Sequence, residues 1–122
     1  MTWEAELEEL RRREALAEQM GGEEKVARQH GRGKMDARAR LAALCDDGTF
    51  REIGKIAGKG SYDEDGNLQS VLPAPFLFGK AKINGRPVVA TADDFTIRGG
   101  AADAGISRKM VQAEKMAHEL KL

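Results

Sequence analysis

Aromatic residues are scarce in this sequence, and that constrains its core. Phe, Trp and Tyr together make up 5% of the 122 residues, so an interior has to be assembled mainly from Leu, Ile, Val, Ala and Met. The single cysteine, Cys45, excludes an internal disulfide. It follows Leu44 and has no nearby partner for a reactive thiolate, so its expected role is a buried structural thiol. No apolar run approaches the roughly 18 residues of a membrane helix. The opening MTWEAELEEL is acidic, whereas a secretory leader starts basic and continues apolar, so the expected location is the cytoplasm. Net charge is also absent, because 20 basic side chains balance 20 acidic ones. That balance argues against a dedicated nucleic-acid or membrane-surface protein and leaves local patches as the place to look. His30 and His118 have no metal-ligand neighbours at a suitable spacing, so no metal site is expected. The length suits one small domain or part of a larger one.

Helical signals fill the first third. Residues 2–20 read as a helix capped by Thr2, with Trp3, Leu7, Leu10, Ala17 and Met20 near helical spacing. Glu4, Glu6, Glu8 and Glu9 load its first half, where the helix dipole favours anions. Gly21-Gly22 ends it. So narrow a stripe on a charged helix suits docking against a partner or another domain, and a solvated arm is the alternative. Residues 23–33 suit a short helix running into glycines. Asp36 can cap a third helix, with Ala37, Leu41, Leu44 and Cys45 on one face and Asp46-Asp47-Gly48 as its stop. Residues 49–54 suit a short strand. Residues 57–75 read as loop, given their glycines, the Asp65-Gly66-Asn67 turn, Pro73 and Pro75.

The clearest local structure lies further on. Phe76 to Ile83 alternates as a strand does, with Leu77, Gly79, Ala81 and Ile83 on one face and Lys80 and Lys82 on the other. Asn84-Gly85 is a strong hairpin signal, since both turn positions accept positive φ. Pro87 to Ala92 is the return strand, and Asp93-Asp94-Phe95 leads to Arg98-Gly99-Gly100. Ile106, Met110, Ala113, Ala117 and Leu120 then mark one face of a helix over about 104–121. Such a ββα unit leaves open strand edges and one bare sheet face, so it suits membership of a stack.

Two ordered stretches carry a family resemblance. The first runs from Gly22 through Gln29-His30-Gly31-Arg32-Gly33-Lys34-Met35-Asp36-Ala37-Arg38 to Asp46-Asp47-Gly48-Thr49-Phe50. The second is Ile83-Asn84-Gly85-Arg86-Pro87-Val88-Val89, then Asp94-Phe95-Thr96-Ile97 and Gly99-Gly100. Together they resemble the carboxyltransferase β chain of biotin-dependent propionyl-CoA and methylcrotonyl-CoA carboxylases, over about residues 21–120. Arg98 and Ala101-Ala102-Asp103 depart from the pattern, which has an aromatic residue and a serine-rich stretch there in many members. The resemblance implies an α+β, crotonase-like fold: a helical N-terminal arm over 1–48, then the first ββα unit of the spiral over 49–122.

It also implies a ligase component that moves a carboxyl group from carboxybiotin, carried on a separate biotin carboxyl carrier component, to the α carbon of an acyl-CoA. The family's later glycine-rich segment and second crotonase-like half have no counterpart in these residues. The expectation is therefore an oligomeric partner of a remaining carboxyltransferase chain, inactive alone. A non-catalytic docking module is the competing reading. A nucleic-acid binder is disfavoured, because no aromatics interleave the basic run Arg28, His30, Arg32 and Lys34. That run could contact CoA, but salt bridges within its own fold are the favoured role.

The candidate CoA-binding residues are Arg98, Gly99, Gly100, Ala101 and Lys109. The glycine N–H groups could meet a thioester oxygen, and the two cations could meet phosphates, although solvated surface charge is their default role. No side chain is assigned to catalysis, and Asp94 is read as a structural cap.

Overall fold

The computed structural model describes residues 1–101 and 104–122, and of residues 104–107 the backbone only. Three helices come first: α1 (Glu4–Glu18), α2 (Glu23–Gly31) and α3 (Ala37–Leu44). Five strands follow: β1 (Arg51–Ile53), β2 (Gly58–Tyr62), β3 (Leu68–Pro73), β4 (Phe76–Ile83) and β5 (Arg86–Asp93). A short turn of 3₁₀ type at Arg98–Gly100 leads to α4 (Ala104–Leu120). The fold is α+β with an open sheet.

Strands β1, β4 and β5 form an antiparallel sheet in the order β1-β4-β5. The β4–β5 hairpin is closed by Asn84 and Gly85 at φ 52° and 79°, as a two-residue turn with positive φ at both positions requires. Asp46 locks this turn. Its Oδ1 accepts the Asn84 N–H at 2.8 Å and its Oδ2 accepts the Gly85 N–H at 2.7 Å. Its own N–H donates to the Lys82 carbonyl at 2.8 Å. Asp46 thus does more than stop a helix: it joins the end of α3 to the hairpin.

Both faces of β4 are covered along its first half. Leu77 and Ala81 pack with Ala37, Leu41 and Cys45 from the α3 segment and with Ala90. Phe76 and Phe78 pack with Ala113 of α4, and Ile53, Val89 and Met116 join them. The scarcity of aromatics shows here, since two of the four phenylalanines stand side by side, with ring centroids 6.4 Å apart.

Several expectations need correcting. Thr2 does not cap α1: Trp3 holds the cap position without a side-chain bond, and the Thr2 hydroxyl donates instead to the Glu4 carboxylate at 3.4 Å. Residues 57–75 are not loop. β2 and β3 pair antiparallel as a second, two-stranded sheet around Asp63–Asn67. Leu44 is exposed and stands off the buried face of α3.

The buried face of α4 is also displaced from the expected one. Lys109 and Ala113 are buried, while Met110 and Leu120 are exposed. The Ile106 side chain and residues 102 and 103 fall outside the described residues. Trp3, Leu7 and Leu10 of α1 lie exposed, and Ala17 is buried. No helix among the described residues is long and apolar enough to cross a membrane.

Candidate functional site

Arg98, Gly99 and Gly100 form a left-handed turn, with φ of 51°, 63° and 75°. Two glycines suit that backbone because they lack a Cβ, while Arg98 is a non-glycine residue held in it. The turn is closed by its own amides. The Gly100 N–H donates to the Ile97 carbonyl at 2.9 Å, and the Ala101 N–H donates to the Arg98 carbonyl at 3.1 Å. These two N–H groups therefore shape the corner and are not presented to an outside oxygen.

The first residues of the turn face α2. Lys25, Arg28 and Arg32 follow at spacings of three and four, which puts them on one side of the helix. Together with Gln29, Phe95, Thr96, Arg98 and Gly99 they line an open cleft of about 230 Å³. Four cations and, among the described residues, no carboxylate border this space. Arg28 also reaches Glu24 at 3.0 Å across an exposed helix turn, a weak restraint in solvent. Phe95 is 58% exposed, and its ring lies beside Gly99. Such a lining suits a compact polyanion next to a flat ring: phosphate oxygens for the cations, an aromatic face for a base.

The structure brings together some of the candidate residues and separates others. Arg98 and Gly99 line the cleft; Gly100 and Ala101 do not. Lys109 lies elsewhere and is not solvated surface charge. It is buried, against Gly54, and burial pushes its ammonium pKa down, while the nearby Glu52 carboxylate pulls it back up. Glu52 is itself held by a two-pronged bond from Arg38, at 2.6 and 3.2 Å.

The basic run divides similarly. His30 bonds the Asp36 carboxylate at 2.8 Å and Arg28 and Arg32 face the cleft. Lys25, Phe95 and Thr96 were absent from the sequence reading of the site. The i, i+3, i+7 spacing of Lys25, Arg28 and Arg32 was the available signal. Burial raises the Cys45 thiol pKa, consistent with a structural thiol. No cluster of metal-ligating side chains occurs among the described residues.

Comparison with known proteins gives these features a setting. A family model described as the carboxyl transferase domain matches residues 28–122. The propionyl-CoA carboxylase carboxyltransferase subunit of Haloferax mediterranei is 35% identical over 121 residues, 98% of this chain and 23% of that protein. The methylmalonyl-CoA carboxyltransferase 12S subunit of Propionibacterium freudenreichii subsp. shermanii is 38% identical over 117 residues, 95% of this chain and 22% of that protein. A crystal structure of transcarboxylase 12S with methylmalonyl-coenzyme A and methylmalonic acid bound superposes with a TM-score of 0.80 at 34% identity. That match covers 96% of this chain and 23% of the other. The chain thus spans under a quarter of the length of these relatives.

Proposed function

The chain belongs to the carboxyl transferase domain family, and on that premise we propose that it is the CoA-holding N-terminal part of an acyl-CoA carboxyltransferase. The reaction moves a carboxyl group from carboxybiotin to the α carbon of an acyl-CoA. The observation that carries this reading is the cleft between α2 and the Arg98–Gly100 turn, with its four cations and exposed Phe95. At about 230 Å³ it is smaller than an ordinary cofactor pocket of roughly 300–1,000 Å³, so it takes the phosphate-bearing end of CoA and leaves the acyl group outside. Within the candidate set, Arg98 and Gly99 contact the ligand while Gly100 and Ala101 shape the turn. Lys109, buried against Gly54, acts at a distance from it.

The partners are an acyl-CoA, a biotin carboxyl carrier component and the rest of a carboxyltransferase assembly, in an oligomer in the cytoplasm. Carboxybiotin would supply the carboxyl group. The cationic cleft does not fit biotin's uncharged ring, so no step through biotin is assigned to these residues. The division into an arm (1–48) and a ββα unit (49–122) is part of the same proposal. Since α3 shares its core with β4, cutting between 48 and 49 is not expected to yield two folded halves.

Calorimetric titration with CoA at low and high salt tests the reading. We expect binding that weakens with salt and falls about tenfold in Arg32→Ala or Lys25→Ala, as loss of one charged contact predicts. Carboxylation of propionyl-CoA by the 122 residues alone is expected to be absent. CoA binding that ignores both substitutions would overturn the site. The competing docking-module reading rests on the exposed Trp3, Leu7 and Leu10 of α1; it predicts a chain that captures a partner without binding CoA.

A further inference from the structure

One side chain joins the two walls of the cleft. The α1–α2 joint approaches the segment before the glycine turn closely where Gly21 meets Thr96. A Cβ at position 21 would collide with the Thr96 carbonyl oxygen, so only glycine allows this distance. The Gly21 N–H donates to the Thr96 hydroxyl oxygen at 3.0 Å. That hydroxyl donates in turn to Asp94 Oδ1 at 2.6 Å, and the Thr96 N–H donates to the same oxygen at 2.9 Å. Asp94 is 1% exposed, and its N–H donates to the Pro75 carbonyl just before β4. The chain of bonds therefore runs from the sheet, through a buried carboxylate and one hydroxyl, to the residue two positions before α2. Thr96 and Ile97 fill their places almost without exposure, and Arg98 follows directly.

We infer that Thr96 is a positioning residue: its hydroxyl, oriented by Asp94 and accepting the Gly21 N–H, fixes the angle at which α2 presents Lys25, Arg28 and Arg32 across from Arg98 and Gly99. This inference rests on the CoA reading for its consequence, although not for its geometry. The Thr96 hydroxyl is suited to the task because one oxygen donates to Asp94 while accepting from Gly21. The carboxylate takes up the donor and leaves the lone pairs for the amide. Without the hydroxyl the Gly21 amide loses its acceptor and α2 is free to tilt, which spreads cations that must converge on one anion.

The test compares Thr96→Val, which keeps the shape and removes the hydroxyl, with Thr96→Ser, which keeps the hydroxyl, in the full chain. CoA is the titrant, and amide hydrogen exchange is followed in α2 and in β4. The expected result is at least a fivefold loss of CoA affinity in Thr96→Val and near-normal affinity in Thr96→Ser. Exchange is expected to quicken in α2 and to stay unchanged in β4. Affinity within twofold of the original in a folded Thr96→Val would overturn the inference. If Thr96→Val does not fold, Thr96→Ala removes the hydroxyl without placing a second methyl where it stood, and leaves the Gly21 approach free of any clash. The same loss of affinity then supports the inference and unchanged affinity overturns it. Should the original chain fail to bind CoA, the CoA reading falls by itself. The exchange result then decides the positioning role: faster α2 exchange in Thr96→Val upholds it, and unaltered exchange removes it.

Discussion

Two hairpins of this molecule are built from the same local chemistry and end in different environments. Both are antiparallel, and both turns are held by an aspartate accepting backbone N–H groups. Asp46 holds the Asn84-Gly85 turn between β4 and β5, and Asp63 holds the β2–β3 turn through the N–H groups of Asp65 and Asn67, at 3.0 and 2.8 Å. Yet β4 is covered on both faces, by α3 and α4, while every residue of β2 is exposed. The strands explain the difference. FLFGKAKI offers apolar side chains to both faces, one set for each helix. GKGSY offers two glycines and little to bury; its partner β3 buries Leu68, beside Arg12 of α1, but a two-stranded ribbon with so little cover is marginal in water. Turn quality sets where a hairpin reverses; side chains on its faces set whether it belongs to the core.

The largest effect that would sharpen this comparison comes from Phe78, 1% exposed among Phe76, Ala113 and their neighbours. Phe78→Ala is expected to cost about 3–5 kcal/mol in urea unfolding, as large-to-small changes in cores do. Leu72→Ala in β3, at a position 42% exposed, is expected to stay within about 0.5 kcal/mol. Similar losses from the two substitutions would mean that the β2–β3 ribbon carries hidden core contacts, and the contrast would fail.

A smaller effect is expected at the two turn aspartates. Asp46→Ala leaves the Asn84 and Gly85 amides to solvent and unties α3 from the hairpin. Both amides are exposed, so the cost is expected near the lower end of the usual range, about 1 kcal/mol. Asp63 is fully exposed, and Asp63→Ala is expected to quicken amide exchange in β2 and β3 only, with the global urea midpoint unchanged. A shifted midpoint in Asp63→Ala would show that the two hairpins unfold as one unit.

What the sequence revealed follows the same division. The strand–turn–strand–helix order of residues 76–121 was legible because period-2 alternation, Asn84-Gly85 and helical spacing are local signals. The cap by Asp36 was legible for the same reason, and its Oδ1 accepts the Ala39 N–H at 2.8 Å. β2 and β3 were read as loop because Gly58, Gly60, Gly66 and Pro73 imitate turn chemistry, and pairing with another segment is not a local property. On the face of β4 that carries Lys80 and Lys82, α4 covers only the first half, at Phe76 and Phe78. The buried side of α4 was misplaced because Lys109, polar by type, is packed against Gly54 near Glu52. Half of the cleft was visible as the Arg98-Gly99 corner. The other half depends on the contact between Gly21 and Thr96, 75 residues apart, for which one sequence holds no sign.

An effect that vanishes in acid tests the cover itself. Asp36 caps α3, the helix over one face of β4, and also bonds His30. Burial alone would raise its pKa, but the Ala39 N–H and His30 outweigh burial and hold the carboxyl below the ordinary aspartate range. The folded state therefore binds this proton less readily than the unfolded chain does. The stability that Asp36 contributes is full above the unfolded value of about 3.9 and is lost as pH falls through the folded one. Asp36→Ala is expected to cost about 1 kcal/mol at neutral pH, the usual worth of such a cap. The gap between variant and original should close in strongly acidic solution, where both lack the carboxylate. Urea unfolding of the two proteins across pH 7 to 2 measures it. A gap that stays constant down to the acid limit would show that Asp36 acts on α3 without its charge, and no gap at any pH would show that packing on Leu77 and Ala81 holds the cover over β4 without a cap.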